Sequence, residues 1–194
     1  MKRSELIESL MADTYRIIEE VKHIASLEEE LIARRSNPDR WSAIECLEHL
    51  NIADAHYLIQ FDRKLSLAKP CDCESYKPGW LGNYFVKMIK PKADGGIPSP
   101  MKTMRKFDPE VKVQRDTISK FLEDQEEILG YLSLCKTLDL QKIKIPSAIG
   151  AIVTFRLGDA LRFLIGHNQR HIIQANNVLK ELGVETDLPV NQSL

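Results

Sequence analysis

The chain has 194 residues, 43% of them hydrophobic and 28% charged, with a formal net charge of −1. That is enough chain to bury a core as one domain without disulfides, and the balanced charge excludes a dedicated nucleic-acid binder, which would carry a strongly basic face. No apolar run approaches the roughly 18 residues needed to span a bilayer and no signal-type segment follows Met1-Lys2-Arg3, so the expectation is a cytoplasmic protein with neither membrane nor nucleic-acid partner.

Helical periodicity begins at once. Leu6, Leu10, Ile17, Val21 and Ile24 recur at helical spacing and predict a first helix, capped by Ser4 and ending near residue 24. Ser26-Leu27-Glu28-Glu29 has the form of a capping box, in which a serine and a glutamate three residues on satisfy each other's backbone N–H groups. It predicts a short helix ending near Arg35, followed by a turn at Asn37-Pro38-Asp39. Ser42-Ala43-Ile44-Glu45 is a second box and opens a helix to about Ala68. The stripe Leu47, Leu50, Asp54, Tyr57, Phe61 and Leu65 is joined by Ile44, Ile52 and Ile59 elsewhere on the wheel, which argues for a central place in a bundle.

Residues 69–110 break the pattern with Pro70, Pro78, Pro91, Pro98 and Pro100 and with Gly79, Gly82, Gly95 and Gly96, leaving one short helix near Trp80–Ile89. A connection of this length inside a compact domain is often a lid or pocket wall. The cluster Trp80, Tyr84 and Phe85 suggests that it covers one end of the bundle, because aromatic rings pack or line pockets. Its basic run, Lys87, Lys90, Lys92, Lys102, Arg105 and Lys106, reads as a solvated surface in preference to an anion-binding edge. A further helix is expected from about Pro109 to Leu134, with Ile118, Phe121, Leu122, Ile128, Leu129 and Leu132 facing inward. Residues 142–155 read as an extended connector, and a last helix runs from Leu157 to about Leu182 and stops at Gly183. Four long amphipathic helices with one irregular connection between the second and third predict an all-α four-helix bundle, a single domain over residues 1–194.

Cys46 and Cys135 fall within helical patterns as small buried hydrophobes. Cys71-Asp72-Cys73 lacks the second pair of a zinc site and reads as reduced loop thiols. H-E-x-x-H, G-x-S-x-G and phosphate-cradling glycine loops are all missing.

The histidines carry the chemistry. His167 and His171 are four apart on the last helix, so their Cβ atoms lie about 5–6 Å apart on one face. Two imidazoles so placed can grip one divalent ion at about 2.0–2.1 Å each. His49 lies at the edge of the core stripe of its helix beside Cys46 and Ala53, and His56, two turns on, competes with it as third ligand. Glu20-Val21-Lys22-His23 has the form of one di-iron motif, but the second copy is missing and His23 reads as a surface residue.

Trp41-Ser42-Ala43-Ile44-Glu45-Cys46-Leu47-Glu48-His49-Leu50 resembles the W-S-x-x-E-x-x-x-H-L opening of helix two in DinB-like proteins. The segment from Leu157 through His167-Asn168-Gln169-Arg170-His171 to Gln174 resembles the last helix of that superfamily, with its H-x-x-x-H-x-x-Q. The resemblance implies a four-helix bundle, often a homodimer, with zinc, nickel or a similar ion on His49, His167 and His171, and it decides against His56. It also implies a range of activities, among them thiol-dependent S-transferases using bacillithiol or mycothiol and a mycothiol-dependent isomerase. Two enzyme readings follow for a small-molecule substrate: activation of a low-molecular-weight thiol against an electrophile, or activation of water with Glu45, Glu48 or Asp54 as base. The rival is a metal- or ligand-binding module without turnover. Glu45 is also explained as the capping partner of Ser42.

Overall fold

The structure is a computed structural model and describes residues 1–92, 95–97, 103–109, 116–150 and 152–185. In chain order the elements are α1 (Arg3–Ala25), α2 (Glu29–Ala33), α3 (Ala43–Leu65), α4 (Trp80–Ile89), a 3-10 turn at Arg105–Phe107, α5 (Thr117–Cys135), β1 (Lys144–Pro146), β2 (Thr154–Arg156) and α6 (Leu157–Glu181). The chain is all-α in class, with one small hairpin. Both α1 and α3 pack against α5 and α6, so α1 and α3 lie on one diagonal of a square and α5 and α6 on the other. Its centre is apolar: Val21, Leu47, Leu50, Phe61, Phe121, Ile128, Leu132 and Leu161 are all buried. Each such side chain contributes about 1.5–3 kcal/mol on leaving water, so this core is a source of stability independent of any bound ion. Among the described residues no helix is long and apolar enough to cross a membrane.

The box at Ser42 forms as the sequence predicts: Glu45 N–H donates to Ser42 Oγ at 3.4 Å, and Ser42 N–H donates to Glu45 Oε2 at 2.7 Å. The other two caps differ. Lys2, not Ser4, is the N-cap of α1, and its N–H donates to Glu5 Oε2 at 3.2 Å. Tertiary pairing sets this boundary, because Arg3 N–H donates to Glu74 O at 2.7 Å and Tyr76 N–H to Met1 O at 3.0 Å. Ser26 closes α1 instead of opening α2: its hydroxyl donates to the His23 carbonyl at 2.7 Å, serving one of the carbonyls a helix end leaves unpaired.

Helix α5 begins at Thr117, and Pro109 lies outside any helix; residues 110–115 of the expected helix lie outside the described residues. The expected extended connector pairs with itself as the β1–β2 hairpin, in register Ile145↔Phe155, which buries both of those side chains. Helix α6 ends as predicted, with Gly183 at φ +90° and Val184 N–H donating to Leu179 O at 3.0 Å, a glycine-terminated C-cap.

Helix α4 forms where expected and packs on α6. A buried carboxylate, Asp159, latches the connection down. It accepts hydrogen bonds from the Tyr76 hydroxyl and from Gly79 N–H, the latter at 2.8 Å, while Arg162 Nη1 approaches at 3.4 Å. The α4 aromatics do not all turn inward: Phe85 packs on Phe155 at 5.7 Å between centroids, but Trp80 is 85% exposed and Tyr84 58% exposed. The ten-residue helix presents one narrow face to α6, and positions 80 and 84 share the opposite one. Cys46 and Cys135 are buried free thiols, as read from the sequence. Cys71 and Cys73 are not reduced thiols here but are joined as a disulfide.

Gly82 packs so closely on α6 that a Cβ there would fall inside the Asp159 side chain, whereas a Cβ at Gly130 would meet nothing within 4 Å. Gly82→Ala should therefore lower the unfolding free energy by about 1–3 kcal/mol through overpacking. Gly130→Ala should raise it by about 0.5–1 kcal/mol through helix propensity. Urea denaturation of both variants checks this; two shifts of the same sign would contradict the packing described.

Candidate metal centre

Three histidines from two helices meet at one side of the bundle. The Ser42 cap fixes the start of α3, and His49 follows within its second turn. His167 and His171 stand one turn apart on α6. The Nε2 atoms of His49 and His167 are 3.3 Å apart, and one ligating nitrogen from each of the three rings lies within 4.8 Å of the others. Two nitrogens bound tetrahedrally at about 2.0–2.1 Å from a single ion would themselves be about 3.3–3.4 Å apart. The rings are inclined to one another, not stacked, with interplanar angles of 66°, 58° and 73°.

The backbone sets the tautomer of His49. Its Nδ1 lies 2.6 Å from the Phe107 carbonyl oxygen, in the 3-10 turn of the long connection. A carbonyl only accepts, so Nδ1 carries the proton and Nε2 turns its lone pair toward His167. Burial depresses the pKa of all three rings. For His49 the bond to Phe107 and the charge of Asp108 oppose that fall. His167 is pushed down to about 3 by burial, then by His49 and Arg170. His171 falls well below the ordinary imidazole value through burial, with His167, His49 and Arg170 adding to it and Gln174 opposing. Neutral imidazoles are the form that ligates a cation. Nδ1 of His171 is buried without a hydrogen-bond partner, a state that costs about 1–3 kcal/mol. The donor set and its neutral protonation fit a divalent ion.

Aromatic rings wall the cluster. Trp41 lies 4.9 Å from His49 and 6.0 Å from His171 between centroids, and Phe163 lies parallel to His167 at 6.1 Å. His49 and His171 are buried but His167 is only half-buried, so the cluster has one accessible side. The long connection flanks it twice: through Phe107, and where the end of α4 meets Gly166, whose added Cβ would lie 3.5 Å from Lys90 Cα.

The other sequence candidates go elsewhere. His56 Nε2 lies 3.1 Å from the Pro146 carbonyl, so it serves the hairpin. His23 is half-buried near the end of α1. Glu45 caps α3 and pairs with Arg35; burial pushes its pKa up, but the bonds from Arg35 and Ser42 outweigh this and the net direction is down. Glu48 accepts from the Thr117 hydroxyl at 2.6 Å. Asp54 is fully buried, with its pKa raised well above the carboxylate range by burial, despite a bond from Asn168 at 2.8 Å. Sequence reasoning missed the Phe107 carbonyl, which has no side-chain signature, and Asp108, the carboxylate whose charge acts on His49.

In the metal-free protein these pKa shifts make stability depend on pH. Between an unfolded value of about 6.5 and the folded value of about 3 for His167, the unfolded chain binds a proton that the folded chain refuses. The histidine's contribution to stability is therefore complete above the unfolded value and is lost as pH falls below it. His167→Gln should flatten the stability–pH slope of the chelator-treated protein by up to about 1.4 kcal/mol per pH unit between about pH 6 and pH 4. Urea titrations across that range measure it, and an unchanged slope would contradict an imidazole held neutral in the cluster.

Neither a curated protein nor a solved structure matches the chain. Residues 19–175, a span that holds all three histidines of the cluster, match the DinB superfamily, and the chain belongs to that superfamily.

Proposed function

We propose that the protein holds a divalent ion, zinc or nickel, on His49, His167 and His171 and uses it to activate a low-molecular-weight thiol for transfer to an electrophilic small molecule. The observation that carries the metal reading is the 3.3 Å separation of two Nε2 atoms, one of them aimed by a backbone carbonyl. Among the described residues no carboxylate or thiolate joins the three imidazoles, and such a set leaves coordination positions open for a reactant. Imidazole donors suit zinc and nickel alike.

An ion held there supplies Lewis acidity that brings the pKa of a thiol or water toward neutrality. The chain's own residues do the positioning. Phe107 fixes the His49 ring, Trp41 and Phe163 give apolar faces that exclude water, and the half-buried side of His167 is where a small molecule enters. Thiol transfer is preferred over hydrolysis because Glu45, Glu48 and Asp54, the carboxylates of α3 that would serve as base, are engaged elsewhere. Thiol-dependent transferases are also among the activities that the family resemblance implies. In this reading the end of α4 and the turn at Arg105–Phe107 act as a wall of the pocket, and the exposed Trp80 and Tyr84 give α4 an apolar face for a second copy in a homodimer.

Wild-type protein incubated with zinc or nickel and desalted should retain stoichiometric metal by mass spectrometry. His171→Ala should retain almost none while keeping its far-UV helical signal, and His56→Ala should bind as wild type does. Full retention by His49→Ala, with loss in His56→Ala, would move the third ligand. For the activity, the metal-loaded protein should accelerate addition of bacillithiol, mycothiol or glutathione to a chlorodinitrobenzene electrophile. Chelation should abolish the rate and added metal restore it. Metal retention without turnover on any thiol would leave a binding module, and ester hydrolysis in place of thiol transfer would leave a hydrolase.

A further inference from the structure

On the loop that leads into α4, Cys71 and Cys73 are joined by a disulfide, and both residues are half-buried and so within reach of solvent. A bridge between positions two apart constrains the unfolded chain far less than one that closes a long loop. The loop is in any case held by backbone bonds: Cys71 N–H donates to Thr137 O at 2.8 Å, beside the pairing of residues 74–76 with the start of the chain. Structural stapling is therefore a weak account of this bridge.

The surroundings favour sulfur chemistry. Arg3 Nη1 stands 3.6 Å from Cys71 Sγ, fixed there by donating to the carbonyls of Cys71 at 3.3 Å and Leu138 at 3.2 Å. A guanidinium at this range stabilises a thiolate relative to a thiol. The two sulfurs also lie within 4.8 Å of an Asp139 carboxylate oxygen, a set of metal-ligand type. Yet Asp139 Oδ1 already accepts from the N–H groups of Gln141 and Lys142, at 2.9 Å and 3.0 Å, and Lys142 Nζ is 3.6 Å from Oδ2. Asp139 is thus engaged by Lys142 and two N–H groups, and Arg3, the cation in contact with Cys71 Sγ, disfavours a divalent ion there.

We propose that Cys71 and Cys73 form a reversible dithiol–disulfide couple that exchanges with low-molecular-weight thiols. An incoming thiolate attacks Cys73 Sγ, the protein's sulfur–sulfur bond breaks, and the electron pair leaves on Cys71 Sγ, where Arg3 stabilises it. A second thiolate attacks the small-molecule sulfur of the mixed disulfide and releases the Cys73 thiolate. In sum, two small thiols are oxidised to their disulfide, the protein disulfide gains two electrons, and the two thiol protons pass through solvent to the cysteines. A leaving thiolate of lowered pKa speeds the first step, which is the role the geometry gives to Arg3.

The test equilibrates the full-length protein in glutathione buffers from fully oxidised to fully reduced, then alkylates it and maps the modified peptides by mass spectrometry. Cys71 and Cys73 should become alkylated together as the buffer is made reducing, with the same midpoint from either direction, while the buried Cys46 and Cys135 stay unmodified throughout. Arg3→Gln should slow reduction by glutathione by roughly threefold for each unit that the Cys71 pKa rises, and Arg3→Lys should recover most of the rate. Cys71→Ser, which removes the internal partner, should leave a persistent glutathione adduct on Cys73. A pair locked in one state across the whole range would overturn the proposal. So would natively folded Arg3→Gln reducing as fast as wild type, or a reduced pair in the His171→Ala background that takes up stoichiometric zinc in place of exchanging.

Discussion

The histidine cluster exists only if α3 and α6 hold one axial register, and a buried hydrogen bond enforces it. Asn168 Nδ2 donates to Asp54 Oδ2 at 2.8 Å, and Gln125 of α5 adds a carbonyl oxygen at 3.3 Å from the same amide nitrogen. Asn168 directly follows His167, and Asp54 lies on the same helix as His49. Apolar stripes alone tolerate slippage, since one leucine packs much like another. A buried amide and carboxyl do not, because a slip leaves unsatisfied groups at a cost of about 1–3 kcal/mol each. Burial holds Asp54 toward its neutral form, which lessens the cost of keeping it in the core. The same polar contact that seems wasteful in a hydrophobic bundle is what aligns the imidazoles.

The long connection completes the site by a different route. Asp159, at the start of α6, ties down Tyr76 and Gly79, and Gly82 lets α4 lie close against α6. Further along, the 3-10 turn delivers the Phe107 carbonyl to His49. An irregular backbone has carbonyls free of helical bonding, and one of them becomes the group that orients the His49 ring.

The parts of this arrangement that were readable beforehand are those written in side-chain spacing. His167 and His171 share a face because four residues make nearly one turn, and the box of Ser42 and Glu45 announces the start of α3. Convergence of His49 on that pair was not contained in spacing; periodicity left His56 open, and only the family motif preferred His49. What escaped the sequence depends on tertiary pairing. Ser26 could serve either helix end, and which it serves depends on how α1 and α2 join. The weakly alternating residues before α6 became a hairpin because Ile145 and Phe155 had a core to enter together. Trp80 looked like a pocket residue, yet the face it occupies points away from α6.

The measurement that bears most directly on the centre is X-ray absorption at the metal edge of protein loaded with zinc at neutral pH. The account predicts a first shell of nitrogen and oxygen neighbours at about 2.0–2.1 Å with the multiple-scattering signature of three imidazoles, falling to two in His49→Ala, which is measured in excess zinc chloride because the variant loses the metal on desalting. A shell containing sulfur at about 2.3 Å, or imidazole scattering unchanged by that substitution, would contradict it.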